Sequence, residues 1–194
     1  NPIRAELHFQ TDGIFFILLT LNTECMDFLE KDLEQVIYEA PDDFLWDKLS
    51  LRGKKFRQKR LGNYGISDLI FVEKVYSEKL DYDNFTSEII EVGLHITICE
   101  LKKDKIGLSA FLQSVKYAKA IQRYLTKRGF NSFNLSILIC GSKIDDIGSF
   151  IFLTDVFENG YSDTEFEFTS SIKSIDFYTY KYDFNGLDFK NHKG

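Results

Sequence analysis

A chain of 194 residues, 44% of them hydrophobic and 15% aromatic, carries enough apolar material for one domain with a substantial core. Two prolines and no Gly/Ser-rich or charge-block linker exclude an obvious multidomain string, and neither repeats nor low-complexity tracts occur. The net charge of −6 argues against passive adhesion to nucleic acid, although a local basic patch can still steer an anionic ligand.

The first apolar run, "GIFFILLTL" (13–21), is too short to span a bilayer. Its flank holds one Arg and two acids, and no small-residue cleavage site follows. Met26, the single Met, precedes a clean helical pattern, so residues 1–25 are expected to be an extension, such as an added strand, to a domain beginning at Met26. Over 27–40, Leu29, Leu33, Val36, Ile37 and Ala40 form a helical stripe. Asp27 and Glu30 have capping-box spacing, and Pro41 ends the helix. The stretch 47–60 then gathers seven of the 24 Lys and Arg residues. Taken alone, such a run is a solvated loop or strand edge.

A turn at Gly62–Gly65 leads into a strand around Asp68–Val75, with the basic stretch as its hairpin arm. Residues 77–94 are polar and acidic and read as a connection or insertion. A strand follows at 95–103, then the longest helix at 109–129, with Ser109 as its N-cap and Gly129 after a basic last turn. Residues 134–141 read as an apolar strand, and 148–157 and 172–189 as further strands, the last with a turn at "FNG". The predicted fold is α/β, or a mixed α+β sheet, with a helix on each side. The final aromatic strands could form a homodimer interface or complete the sheet, and the latter is expected.

The long helix carries more than one face. Phe111, Val115, Ala118, Ile121 and Leu125 form an apolar arc. Gln113, Tyr117, Ala120 and Tyr124 form a second arc, suited to a cleft or a bound chain. Lys116, Lys119, Arg123 and Lys127 make a basic stripe between them.

Cys25, Cys99 and Cys140 are odd in number and lack CxxC or Cys/His spacing, so reduced buried thiols in a cytoplasmic protein are expected. The three His residues have no HExxH or triad context, and no GxSxG, P-loop or GxGxxG occurs. Glu100 and Lys102 are more suggestive. Two residues apart in a strand, they point to one side. A carboxylate there can ligate Mg²⁺ or Mn²⁺, and an ammonium can polarise water or stabilise phosphate charge. Alone, the pair is more often the pattern of a surface salt bridge. Asp68 sits at a strand start with Ile70 and Val72 on its face, where it could also be a turn residue. Glu30 and Glu34 are like charges one helical turn apart, a mildly unfavourable pair that a nearby cation, Lys31 or exposure would relieve.

Taken in order, these residues resemble the PD-(D/E)xK nuclease superfamily, nearest its NucS-like and RecB-like branches. The matching elements are Glu30 on the first helix, Asp68 in "GISDLI", Glu100 and Lys102 in "CELKK", and Gln113 with Tyr117 as QxxxY on the following helix. Arg57 and Gln58 in "KKFRQKRLG" also resemble the Gly-Arg-Gln strand of the NucS-like branch. The similarity covers about residues 26–125, with Ser67 where many members have Pro. The 32 positions from Asp68 to Glu100 imply an insertion at 76–94. The resemblance implies a restriction-endonuclease-like αβββαβ core with appended strands. It further implies hydrolysis of phosphodiester bonds, DNA foremost, with Mg²⁺ or Mn²⁺ held by Asp68, Glu100 and the Leu101 carbonyl. Glu30, Lys102 and Gln113 would assist the chemistry, and Arg57, Gln58, Tyr117, Lys116 and Arg123 would contact substrate. No sequence-reading element is visible, so structure-dependent or weakly specific cleavage is expected. The alternative is a catalytically inactive nuclease-fold module that binds nucleic acid or protein.

Overall fold

A computed structural model describes residues 29–81, 86–145, 150–158, 170–183 and 186–192. The expectations for residues 1–25, Met26, Asp27 and Cys25 lie outside these.

Helix α1 spans Glu30–Glu39. Leu29 is its N-cap, and the Asp32 carboxylate accepts the Leu29 N–H at 2.9 Å. The reading of Glu30 as a capping acid is therefore corrected, because Asp32 occupies that role. A second helix, α2 (Asp42–Leu49), was not expected. Its signals are nonetheless local. Asp42 and Asp43 lie in the first turn and Lys48 in the last, each complementing the helix dipole.

Strand β1 (Lys54–Arg60) pairs antiparallel with β2 (Ile66–Asp81), which pairs antiparallel with β3 (Thr86–Leu101). The polar segment read as a connection is thus a ribbon. Residues Tyr76–Asp81 and Thr86–Glu91 pair with each other beyond the reach of β1. Their mostly polar residues, with Ser77, Glu78, Lys79, Asp81, Thr86, Ser87, Glu88 and Glu91 among them, fit a two-stranded arm that pairs with no other strand among the described residues. After the short β4 (Lys105–Ile106), helix α3 (Leu108–Lys127) crosses to β5 (Phe133–Gly141), parallel to β3. Gly107, in extended backbone, is the N-cap of α3, so Ser109 falls inside the first turn rather than capping it. At the far end Gly129 adopts φ 77°, and Phe130 N–H reaches the Leu125 carbonyl at 3.1 Å. This left-handed stop suits glycine.

Strand β6 (Lys143–Ile144) pairs with β4 in a separate two-stranded sheet. Of the apolar run read as a strand at 148–157, the described residues form instead a 3-10 turn (Phe150–Leu153) and a short helix α4 (Thr154–Phe157). Short apolar runs do not distinguish strand from helix. Strands β7 (Ile172–Asp183) and β8 (Gly186–Asn191) complete the sheet, as expected. The main sheet runs β1-β2-β3-β5-β7-β8, a mixed α/β architecture.

Two apolar layers hold it. On one face Ile70, Ile96, Ile98 and Ile137 pack against Phe111, Val115, Ala118 and Ile121 of α3. On the other, Leu69, Phe71, Cys99, Leu101 and Cys140 pack against Leu33, Ile37, Leu45 and Leu49 of α1 and α2. Strand β5 is buried along its whole length, which fits its near-continuous apolar sequence at the centre of the sheet. Cys99 and Cys140 are free and buried. No helix among the described residues is long and apolar enough to cross a membrane.

Candidate active site

Strand alternation brings the two central carboxylates together. The register pairs Leu69 with Cys99 and Ile70 with Ile98, so its continuation sets Asp68 opposite Glu100. Both share the face of Ile70 and Ile98, the side covered by α3. Asp68 Oδ2 accepts the Leu101 N–H at 2.8 Å, which ties the start of β2 to the end of β3. Glu100 is only 1% exposed. Its Oε1 accepts a hydrogen bond from Lys102 Nζ at 2.7 Å, while Oε2 is buried without a hydrogen-bond partner. A buried carboxylate oxygen left bare is costly and invites a cation or a proton.

The electrostatics follow from this crowding. Burial, with the Asp68 charge added, pushes Glu100 up to about 7 despite the opposing pull of Lys102. Burial also raises Asp68, against the Leu101 N–H and Lys102, with Glu30 and Glu34 adding to the rise. Burial would lower Lys102, but the hydrogen bond and charge of Glu100, with Glu30 and Asp68, outweigh it and leave the ammonium raised. Lys102 therefore stays protonated at neutral pH and serves as a donor and positive charge rather than a base.

Glu30 joins the group from the start of α1, where its Oε2 accepts the Lys103 N–H at 3.2 Å. The turn beyond β3 is held twice more. Lys102 N–H donates to the Cys140 carbonyl at 2.8 Å, and Tyr180 Oη donates to the Lys103 carbonyl at 2.7 Å. On α3, Gln113 Nε2 donates to Tyr117 Oη at 2.7 Å. Burial, with the charges of Glu100 and Asp68 adding and Gln113 and Lys102 opposing, raises the Tyr117 hydroxyl, which also approaches Gly65. Gly65 makes this approach possible. A Cβ there would lie 3.0 Å from Tyr117 Oη, and its φ is 121°.

Arg57 and Gln58 lie at exposed positions on β1, and each commits a side-chain donor to Glu34. Arg57 Nε and Gln58 Nε2 both donate to the buried carboxylate of Glu34. The cation that relieves the Glu30/Glu34 pair is thus Arg57, on a different element. Gln58 stands opposite Asp68 in the strand register with φ 48°, a left-handed conformation unusual for a non-glycine strand residue. Glu34 is the principal residue missed from the sequence. Its like-charge spacing with Glu30 was the available signal.

Lys116, Lys119, Arg123 and Lys127 are exposed along α3, and Arg123 donates to Tyr64 Oη at 2.7 Å. Tyr124 is exposed beneath the Arg128 guanidinium, 4.4 Å from its ring centroid.

Among the described residues no group of three or more His, Cys, Asp or Glu side chains is assembled to hold a metal ion. The oxygens that could hold a cation are instead those of Asp68 and the free Oε2 of Glu100, with the Leu101 main-chain carbonyl next along β3. All are hard oxygen donors, and Mg²⁺ is commonly held by one or two carboxylates with water completing its shell. The residues fit such an ion. No family model, curated protein or solved structure matches the chain.

Proposed function

We propose that the chain is a divalent-metal-dependent nuclease that hydrolyses phosphodiester bonds, DNA foremost, with little sequence preference. The observation that carries this reading is the buried, unpartnered Glu100 Oε2 beside Asp68 and Lys102. The order of elements also agrees with a restriction-endonuclease-like core: a leading helix, three antiparallel strands, a crossover helix and a parallel strand.

Asp68, Glu100 and the Leu101 carbonyl would hold Mg²⁺ or Mn²⁺. When bound, such an ion supplies Lewis acidity toward a phosphoryl oxygen and favours ionisation of water at neutral pH. The protein's own groups do the rest. Asp68 is oriented by the Leu101 N–H, which fixes one oxygen and leaves the other for a ligand. Lys102, held protonated, donates to Glu100 and can transfer that donor to a phosphate oxygen as negative charge develops. Glu30 sits at the rim, anchored by the Lys103 N–H. Gln113 holds the Tyr117 hydroxyl in place, and the exposed α3 lysines face solvent where a phosphate backbone can contact them.

The test is cleavage of single-stranded, flapped and duplex DNA with Mg²⁺ or Mn²⁺. Lys102→Ala is expected to lose about 10²-fold or more, the magnitude of losing one stabilising donor. Equal activity in the variant, or none in the wild type on every substrate, would overturn the reading. A non-catalytic module is favoured by one observation, the engagement of the Arg57 and Gln58 donors by Glu34. Metal binding without cleavage would select it.

A further inference from the structure

A groove of about 640 Å³ lies between α2 and the β1 edge, farther along β2 from Asp68. Its apolar floor includes Phe56, Val72 and Leu94, which are on the same sheet face as Asp68 and Ile70. Val72 is four residues from Asp68 along β2, about 13 Å at the rise of a strand. Two aromatic rings stand at its walls, Trp46 at 48% exposure and Tyr76 at 52%. The Arg52 guanidinium lies over Trp46, 3.2 Å from the ring centroid. Lys54 and Lys59 lie over Phe56 at 5.4 and 5.8 Å. None of these three cations has a carboxylate within 4.0 Å among the described residues. Of the acids in the lining, Asp42 is paired with Lys55, and Asp43 and Glu73 remain. Gly53 keeps the wall in place. A Cβ there would meet the Val72 carbonyl at 2.3 Å, so only glycine lets the 51–53 turn close on β2.

We propose that this groove binds an unpaired nucleic-acid strand leading to or from the carboxylates. The inference rests on the nuclease reading and names its substrate class. Aromatic rings and a stacked guanidinium offer flat faces to bases, and unpaired cations beside them suit phosphates. Base faces inside a duplex are already stacked and cannot use these surfaces. The phosphates follow the Arg52–Lys54–Lys59 side, away from Asp43 and Glu73.

Trp46 is the chain's single tryptophan, so its fluorescence reports the groove directly. The full chain, with EDTA present to prevent cleavage, is titrated with a short oligothymidylate, the matching oligouridylate and a blunt duplex. Saturable quenching by a single strand is expected, with the duplex at least roughly tenfold weaker. The two oligonucleotides distinguish DNA from RNA. Arg52→Ala and Lys54→Ala, both at exposed positions, should each weaken binding, by roughly tenfold for Arg52. Absent quenching, equal response to duplex, or unchanged affinity in both variants overturns the proposal. Metal-dependent cleavage that survives such a result would leave the catalytic reading standing. Quenching without cleavage would do the reverse.

Discussion

Glu100 is where burial and chemistry pull against each other. The folded chain holds its proton up to about pH 7, whereas an ordinary glutamate releases it near 4.5. The native state therefore binds more protons than the unfolded state between those values. Without metal, stability should fall as pH rises from about 4.5 through about 7, and then level off. Glu100→Gln removes that loss. It is expected to raise the thermal midpoint at pH 8 by roughly 4–8 °C, about 2 kcal/mol for a chain of this size, while abolishing cleavage. Calorimetry and a cleavage assay on the same variant check both halves. A matching profile is expected in activity. At subsaturating Mg²⁺ the rate should climb with pH toward 7 and then flatten, because cation and proton compete for one carboxylate. Both central acids were legible in the sequence, since alternation alone sets Asp68 with Ile70 and Glu100 with Ile98. The Glu34 partners were not. Arg57 lies 23 positions away, and only the packing of α1 against β1 creates that contact.

At the scale of elements, local chemistry decided most outcomes. Helix α3 was readable because its apolar arc, Phe111 to Leu125, runs unbroken over about four turns. Helix α2 was obscured by the basic run that begins inside it, although its terminal charges had the right polarity. Two contacts between elements give sharp expectations. Gly53→Ala meets both a left-handed φ of 96° and the Val72 carbonyl, so it should destabilise by about 2–3 kcal/mol or more. Glu34→Ala strands the Arg57 guanidinium, and because that group is partly exposed the cost should be nearer 2 kcal/mol than the 3–5 kcal/mol of a fully buried pair. Urea unfolding measures each. A Glu34→Ala variant of unchanged stability would mean that the clamp does not hold α1 to β1.

For the whole molecule, the β2–β3 ribbon separates what the fold needs from what it carries. Beyond Val75 and Gly93 its strands pair only with each other, and Ile89 is 75% exposed. Joining Tyr76 to Glu91 through an Asn-Gly turn should leave stability within about 1 kcal/mol and retain cleavage, since an isolated two-stranded arm adds little. This arm was hidden in the sequence because its composition is that of a surface connection, and its pairing partner lies across its own tip.

The same ribbon partitions the chemistry along the chain. Glu30, Glu34 and Asp68 precede its tip, and Glu100, Lys102, Gln113 and Tyr117 follow it. A break between Asp81 and Thr86 would thus yield two polypeptides, one with Glu30, Glu34 and Asp68 and the other with Glu100, and neither would hold the whole proposed centre. Their reunion would depend on the long β2–β3 register, from Leu69 with Cys99 outward to Asp81 with Thr86. Cleavage restored on mixing would make phosphodiester hydrolysis a direct readout of strand association.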